Sequence, residues 1–360
     1  MLGDNRTVIS VMSFLDAYSN PFVIAEAGVN HNGDIDKAHA LIEAAVAAGA
    51  DAVKFQTFVP EKIAAAAAPM ADYQKETVTA QRDQLSMIRD LYLPFSAFID
   101  LKADCDSKGI LFLSTPFDHE SVDFLDSLDM PFFKISSGEL TNSPLLHHIG
   151  TKKKPVILST GMGDLSEIET AMNVLMASGA PSCALLHCLS AYPAPPEQMN
   201  LRAMATLEQE FGVVVGLSDH SEGIEIAIAA TALGARIIEK HFTLDKSLPG
   251  PDHLASLEPD ELRRMIIGIR KTACALGDGV KRPAPAEKNV KAVARRSLCA
   301  AHDIALGETI SADDISILRP GTGMPPDQLE TLVGRISAHP ITAGHLLTEN
   351  DFLPVNETST

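Results

Sequence analysis

Three charged side chains interrupt apolar runs of this sequence, where a charge is costly unless it is paired or used. Glu26 ends the run FVIAE, Lys54 lies within AVKF, and Lys134 lies within FFKI. Glu26 fits either a buried ion pair or a proton-transfer group. Lys54 fits either an imine-forming lysine or a clamp for a phosphate or carboxylate. These positions therefore predict an active site that handles anions or protons.

Hydroxyl side chains follow the same kind of run and would donate hydrogen bonds to an anion. Glycines beside them would let backbone N–H groups approach a phosphate. Each motif alone is weak evidence, but four of them at neighbouring strand ends predict an anion cradle. The four segments are KFQT (54–57), STPFD (114–118), KISSGE (134–139) and STGMG (159–163).

Two histidines occupy matching positions after apolar runs, His220 in GLSDH and His241 in IIEKH. A pair of imidazoles suits Mn, Fe, Co, Ni or Zn better than a bare Mg site. Two protein ligands would leave coordination positions open for water and substrate, as a Lewis-acid site requires. Asp252 follows in the loop LPGPDH. The alternative is that both imidazoles are hydrogen-bonded structural groups.

These residues need a scaffold, and the chain from residue 22 to about residue 275 alternates short apolar runs with longer helical segments, which include predicted helices over Ile35–Ala48 and Pro259–Leu276. This alternation is typical of βα units around a parallel sheet. Because polar residues follow every run, we expect a (β/α)8 TIM barrel with its site at the carboxyl ends of the strands. An open doubly wound sheet is the alternative. The predicted strands are Phe22–Ala27, Ala52–Gln56, Ile110–Thr115, Phe132–Ser136, Val156–Thr160, Ala184–Leu189, Val213–Leu217 and Ile237–His241.

The barrel domain is expected to occupy residues 1–280. Gly, Pro and charged residues then predict a linker over residues 281–291. From residue 292 to residue 354 the pattern changes to short strands and turns, which predicts a small β-rich domain. Arg319 lies there on the turn RPGTG, and it gains a functional role only if this domain covers a barrel mouth.

The bulk composition excludes several classes of function. The formal net charge of the 360 residues is −18, which disfavours binding to nucleic acid or to an anionic membrane. No apolar stretch approaches the ~20 residues of a membrane span, and the first residues lack the pattern of a signal peptide. The five cysteines form no paired framework. We therefore expect a soluble cytoplasmic protein.

The polar segments form a series of motifs that runs in order along nearly the whole chain. They are IAEAGVNHNG (24–33), DAVKFQT (51–57), LSTPFD (113–118), FKISSGE (133–139), LSTGM (158–162), LLHC with YP (185–193), GLSDHS (216–221), EKHFT (239–243), GPDH (250–253) and RPGTG (319–323). This series resembles the sialic acid synthase family, of the N-acetylneuraminate or legionaminic acid synthase type. Residues 292–354 resemble the antifreeze-like (SAF) domain that is fused to those enzymes.

The resemblance implies a metal-dependent condensation of phosphoenolpyruvate with open-chain N-acetylmannosamine to give N-acetylneuraminate. Carbon C3 of phosphoenolpyruvate would attack the sugar aldehyde, water would add at C2, and C–O cleavage would release phosphate. The alternative substrate is a 6-deoxy diacetamido sugar that leads to legionaminic or a related nonulosonic acid. The resemblance implies Mn²⁺ as the divalent metal, with Mg²⁺ or Co²⁺ as alternatives.

The resemblance also implies a role for each polar strand end. The expected catalytic residues are Glu26, Lys54, His220 and His241, and the two histidines are the expected metal ligands. The residues expected to hold phosphoenolpyruvate are Lys54, Thr115, Lys134, Ser137, Ser159, Ser190 and Ser218. Those expected to face the amino sugar are Glu26, Gln56, Glu139, Tyr192 and Asp252, joined by Arg319 from the other chain of a domain-swapped homodimer.

Ser190 departs from the family pattern, which often has Asn two residues before the tyrosine of this motif. Serine has a shorter reach and lacks the amide pair, so a contact to phosphoenolpyruvate at Ser190 is a weaker expectation. Two other functions remain open, a metal-independent Schiff-base aldolase that uses Lys54 and a non-catalytic sugar-binding barrel. The histidine pair disfavours the first, and the complete set of polar strand ends disfavours the second.

Overall fold

The computed structural model describes residues 14, 15, 18, 20–65, 68–70 and 83–354. The chain divides into two compact units, residues 1–277 and residues 278–360. The segment predicted as a linker, 281–291, runs into a helix over Lys288–Ala294. Each unit is described below by itself.

Eight parallel strands form the centre of the first unit. Strands β1 and β8 pair in parallel, the ladder continues on either side of them to β3 and to β4, and β3 also contacts β4. This closed order is that of a (β/α)8 barrel, so the predicted TIM barrel is confirmed and the open doubly wound sheet is wrong. The strands are β1 (Phe22–Gly28), β2 (Ala52–Thr57), β3 (Leu111–Pro116), β4 (Phe133–Ile135), β5 (Val156–Ser159), β6 (Cys183–Cys188), β7 (Val215–Asp219) and β8 (Ile237–His241).

Helices connect the strands of the first unit, and none within the described part of the chain is long and apolar enough to cross a bilayer. The predicted helices over 35–48 and 259–276 match the structure at both ends. The helices are α1 (Ile35–Ala48), α2 (Pro60–Ile63), α3 (Gln84–Asp90), α4 (Phe95–Lys108), α5 (His119–Ser127), α6 (Ser143–Thr151), α7 (Leu165–Ser178), α8 (Ala203–Phe211), α9 (Glu225–Ala232) and α10 (Pro259–Leu276).

Local capping explains why the first long helix begins and ends where it does. The side chain of Asp34 accepts hydrogen bonds from the backbone N–H groups of Asp36 and Lys37, two of the donors that the first turn leaves unpaired. Gly49 then adopts φ 83° and ends α1 with a left-handed residue. The chain thus returns directly to β2, which carries Lys54.

The inner face of the barrel changes from apolar to polar along each strand. Side chains alternate between the two faces of a strand, so Phe22, Ile24 and Glu26 share one face of β1. Phe22 and Ile24 pack in an apolar cluster inside the barrel, to which Ile237 of β8 also belongs. Glu239 lies two residues beyond Ile237 on the same face. An apolar plug therefore supports a polar layer at the carboxyl ends of the strands.

The second unit has its own small core and little regular structure. Strands β9 (Ser297–Ala300) and β10 (Ile315–Leu318) pair antiparallel, and short bridges such as Ile304 with Ile341 hold the remaining turns. This agrees with the small β-rich domain that the sequence predicts. Its buried apolar residues include Leu298, Ile304, Ile310, Leu332, Ile341, Leu347 and Phe352.

Candidate active site

A cavity of about 480 Å³ opens at the carboxyl ends of the barrel strands. It brings together twelve of the fifteen residues that the sequence predicts for the site. The polar layer above the apolar plug forms its floor. The predicted residues that line it are Glu26, Lys54, Gln56, Thr115, Lys134, Ser137, Ser159, Ser190, Tyr192, Ser218, His220 and His241.

Lys54 makes the shortest charged contact of the cavity floor. Its Nζ atom lies 2.6 Å from Oε2 of Glu26 and 3.7 Å from Oε2 of Glu239. It also donates a hydrogen bond of 3.0 Å to the Thr115 hydroxyl. The pairing follows from the sheet, because Glu26 on β1 is the register partner of Lys54 on β2.

Lys134 approaches the same carboxylate from the other side of the barrel. Its Nζ atom lies 3.3 Å from Oε1 of Glu239 and donates a hydrogen bond of 2.7 Å to the Ser159 hydroxyl. The hydroxyl of Ser218 donates to the same Glu239 oxygen at 3.0 Å. Glu239 therefore joins the two lysines of the predicted anion cradle.

The sequence analysis did not include Glu239 among the site residues. The available signal was its position two residues before His241, which places both side chains on the inner face of β8. Cys188 was also missed, and its thiol lies 3.7 Å from Nδ1 of His220. The other residues that line the cavity are Gln84, Phe117, Ser136, Gly138 and Met162.

The balance of charge on the cavity floor favours an anion. Burial raises the pKa of Glu239, but Lys134 and Lys54 outweigh burial and leave that pKa below its ordinary value. Burial raises the pKa of Glu26 to about 7, although Lys54 opposes this shift. Two ammonium groups thus face one firmly ionised carboxylate and one carboxyl group that is easily protonated. The excess positive charge suits a phosphate or a carboxylate.

The same electrostatics bear on the imine hypothesis for Lys54. Burial lowers the pKa of its ammonium group, but Glu239 and Glu26 outweigh burial and raise the pKa above its ordinary value. An imine-forming lysine must be neutral to attack a carbonyl carbon. Lys54 is therefore suited to binding an anion and poorly suited to nucleophilic attack.

Two imidazoles lie side by side at the edge of this anion cradle. The ring centroids of His220 and His241 are 5.4 Å apart. Nδ1 of His220 lies 2.9 Å from the carbonyl oxygen of Leu189, so Nδ1 carries the proton and Nε2 is left as an acceptor. Nδ1 of His241 is buried without a hydrogen-bond partner, and Oδ2 of Asp252 lies 4.0 Å from it.

This donor set is compatible with a divalent metal. Burial lowers the pKa of His241 well below its ordinary value and keeps its imidazole neutral, the form that binds metals. Among the residues that the structure describes, no group of three or more His, Cys, Asp or Glu side chains is arranged to hold a metal ion. A divalent metal held by His220 and His241 alone would keep open coordination positions.

Tyr192 covers the histidine pair. Its ring centroid lies 4.1 Å from that of His220 and 5.8 Å from that of His241. Ser137 lies across the cavity, where its hydroxyl accepts a hydrogen bond of 2.9 Å from the backbone N–H of Gly161. An added Cβ at Gly161 would lie 2.3 Å from the Ser190 hydroxyl, so only glycine allows this close approach of the backbone.

Three predicted site residues lie outside the cavity wall. Glu139 belongs to a 3₁₀ turn and accepts a hydrogen bond of 2.6 Å from Asn142. Asp252 is buried behind the histidine pair, and burial raises its pKa to about 6. Arg319 is exposed in the second unit, directly after β10. Its contact with a sugar bound to another chain stays a prediction.

Replacing Glu239 should destabilise the fold, because the two buried lysines would lose the carboxylate that they share. Glu239→Gln leaves both ammonium groups without their shared partner, so we expect the free energy of unfolding to fall by about 3–5 kcal/mol. Chemical denaturation measures this change. Inorganic phosphate should raise the melting temperature of the variant more than that of the unaltered protein, because an anion replaces the lost charge. Glu208→Gln, on the exposed face of α8, is the matched control. A Glu239→Gln variant as stable as this control would contradict the charge assignment.

Comparison with known proteins identifies the family of this chain. The NeuB family model matches residues 41–281, and the SAF domain model matches residues 295–353. The chain is 46% identical over 329 residues to an N,N'-diacetyllegionaminic acid synthase of Campylobacter jejuni, covering 91% of this chain and 98% of that protein. It is 44% identical over 330 residues to the enzyme of the same name from Legionella pneumophila, covering 91% of this chain and 93% of that protein.

A solved structure extends the similarity to the fold. The crystal structure of N-acetylneuraminic acid (sialic acid) synthetase from Leptospira borgpetersenii, in complex with citrate, superposes with a TM-score of 0.67. It is 36% identical, and the match covers 76% of this chain and 90% of that one. Both family models match the chain in order, and the two synthases align with 91% of its length. The chain therefore belongs to the NeuB family, which is the sialic acid synthase family that its motifs predict, and it carries a SAF domain.

Proposed function

We propose that this enzyme condenses phosphoenolpyruvate with a 6-deoxy diacetamido sugar to form a nonulosonic acid of the N,N'-diacetyllegionaminic type. The main support is that Lys54 and Lys134 lie in one cavity with the His220–His241 pair. This arrangement offers an anion site beside a site for a polarised carbonyl group. A cavity of about 480 Å³ is large enough for two small substrates.

The choice of sugar differs from the one expected first from the motifs, which was N-acetylmannosamine. The two relatives named as N,N'-diacetyllegionaminic acid synthases are 46% and 44% identical to the chain. The N-acetylneuraminic acid synthetase is 36% identical. These values favour the diacetamido sugar, and Ser190 fits a sugar preference other than that of N-acetylneuraminate synthases.

Phosphoenolpyruvate occupies the anion cradle under this proposal. Lys54 and Lys134 bind its phosphate and carboxylate, with hydrogen bonds from the hydroxyls of Thr115, Ser159 and Ser218. Ser137 and, with its shorter reach, Ser190 add to this set. Glu239 contacts both lysines in the empty site; it helps to raise the pKa of Lys54, and it opposes the burial that lowers the pKa of Lys134. Because these side chains are already ordered in the empty site, binding of the substrate costs less conformational entropy.

The reaction forms one carbon–carbon bond and breaks one carbon–oxygen bond. C3 of phosphoenolpyruvate attacks the aldehyde C1 of the open-chain sugar, and the aldehyde oxygen takes up a proton. Water adds to C2, and the C2–O bond to phosphate breaks, so inorganic phosphate leaves with its bridging oxygen. Glu26 is the proposed proton-transfer group, since a carboxyl group with a pKa of about 7 exchanges protons readily at neutral pH.

His220 and His241 are the proposed ligands of a divalent metal, Mn²⁺ in the first place, with Mg²⁺ or Co²⁺ as alternatives. When bound, the metal would polarise the sugar aldehyde as a Lewis acid. Glu26, Gln56, Tyr192 and Asp252 are the proposed sugar contacts near this pair. Glu139 and, in a domain-swapped homodimer, Arg319 of a second copy are the proposed contacts to the remaining part of the sugar.

A panel of sugars tests the proposed substrate directly. Phosphate release from phosphoenolpyruvate should be fastest with the N,N'-diacetyl 6-deoxy sugar. N-acetylmannosamine and its 6-phosphate should give kcat/KM values lower by about tenfold or more, since one lost set of polar contacts costs at least that much. A higher kcat/KM with N-acetylmannosamine would overturn the choice of sugar and leave the reaction type unchanged.

Loss of one imidazole tests the proposed metal site. His241→Ala should abolish turnover and lower the Mn²⁺ content after dialysis from about one ion per chain to a small fraction, while the circular dichroism spectrum stays unchanged. His147→Ala on the surface of α6 is the matched control and should keep both metal and activity. Turnover by His241→Ala, or by protein freed of metal with a chelator, would contradict the metal assignment.

A further inference from the structure

The loops after β1 and β8 are tied together by buried polar side chains that the proposed reaction does not use. The first loop carries Asn30, His31 and Asn32, and the second runs over residues 243–256 and carries Asp252. Asn30, His253 and Ser256 are each about 1% exposed. Buried polar groups are costly unless they hydrogen-bond, so their contacts define how these loops are held.

His253 lies at the centre of this connection. Its Nδ1 atom is 2.7 Å from the Thr243 hydroxyl, and its Nε2 atom is 3.2 Å from Oδ1 of Asn32. Because Oδ1 of Asn32 can only accept, Nε2 carries the proton, and the Thr243 hydroxyl donates to Nδ1. Burial lowers the pKa of His253 to about 4, which agrees with a neutral ring that donates at Nε2 alone.

Asn32 extends the connection into the middle of the second loop. While its oxygen accepts from His253, its Nδ2 donates a hydrogen bond of 2.7 Å to the carbonyl oxygen of Pro249. Gly250 follows with φ 152°, and an added Cβ there would lie 2.8 Å from Oδ1 of Asn32 and 2.7 Å from Cδ2 of His253. Only glycine lets the loop backbone approach this pair so closely.

Asn30 holds the far end of the same loop. Its Nδ2 donates to the carbonyl oxygen of Phe242 at 2.8 Å and to the Ser256 hydroxyl at 2.9 Å. The Ser256 hydroxyl in turn donates to the carbonyl oxygen of Asp252 at 2.6 Å. Asp252 is therefore held on both sides, by Asn30 through Ser256 and by Asn32 through Pro249 and His253.

We propose that Asn32 and His253 form a clamp that positions Asp252 beside His241 for sugar binding. Neither clamp residue lines the cavity, so they are positioning residues and act only through Asp252. The clamp fixes the loop backbone, and the carboxylate of Asp252 lies 4.0 Å from Nδ1 of His241 as a result. This inference rests on the proposed function, in which Asp252 faces the sugar.

Steady-state kinetics of phosphate release test the clamp, with the sugar and phosphoenolpyruvate varied separately. Asn32→Ala removes both hydrogen bonds of the clamp from a partly exposed position. Because Asn32 has a left-handed φ of 52°, Asn32→Gly, which adopts this conformation without strain, should give the same result and separates loss of the hydrogen bonds from backbone strain. We expect the KM for the sugar to rise about tenfold, the size of effect that a misplaced polar contact produces, and the KM for phosphoenolpyruvate to stay within about twofold. His253→Asn, which can keep the contact to Thr243, should show a smaller rise of the sugar KM.

A double-mutant cycle separates positioning from a general loss of structure. In an Asp252→Ala background, adding Asn32→Ala should change the sugar KM by less than about twofold, since the group that the clamp positions is gone. His187→Asn is the matched control, because His187 also binds a loop carbonyl, that of Met199, at 2.7 Å but on another strand. It should leave both KM values unchanged.

The outcomes distinguish the clamp from the proposed function. A full tenfold effect of Asn32→Ala in the Asp252→Ala background, or equal rises of both KM values, would overturn the clamp. Absence of phosphate release by the unaltered protein with every sugar would instead overturn the proposed function. Should His253→Asn unfold, as its melting temperature would reveal, Asn32→Ala and the double mutant still decide the matter.

Discussion

The structure of this site depends on one buried carboxylate that two lysines share. Glu239 lies 3.3 Å from Lys134 and 3.7 Å from Lys54, and all three side chains are almost fully buried. Burial disfavours the ammonium form of both lysines, and the shared carboxylate opposes that effect. At Lys54 the carboxylates outweigh burial and raise the pKa, whereas at Lys134 burial prevails and the pKa is lowered. The cavity floor is thus stable when empty and attractive to an anion.

Strand alternation places this carboxylate where it is needed. One inner face carries an apolar plug and then a polar layer, so the cavity floor is a continuation of the barrel core. The strands themselves position the polar layer. In the register of β1 with β2 and β8, Glu26 lies opposite Lys54 on one side and His241 on the other. Loops enter only at the rim, where Asp252 depends on contacts between the loops after β1 and β8.

Much of this could be predicted from the sequence, because strand ends and capping are local signals. Helix α1, with Asp34 before it and Gly49 after it, is correct at both ends. The sequence predicts β7 over Val213–Leu217, two residues before its position in the structure. A charged residue such as Asp219 is typical of a loop, but here its carboxylate is buried in an ion pair with Lys240 at 2.8 Å and belongs to the strand.

Pairing across the barrel explains why one residue of the site was missed. Glu239 was missed because its partners come from β2 and β4, far away in the sequence. Glu139 lies outside the cavity wall in a 3₁₀ turn, which Ser136 caps by accepting a hydrogen bond of 3.1 Å from the N–H of Gly138, and its contact with the sugar stays a prediction.

The fate of the bridging oxygen of phosphoenolpyruvate tests the central claim most directly. Substrate that carries a heavy oxygen isotope at this position should yield labelled inorganic phosphate, because the proposed reaction breaks the bond between C2 and this oxygen. Label retained in the sugar product would contradict the account.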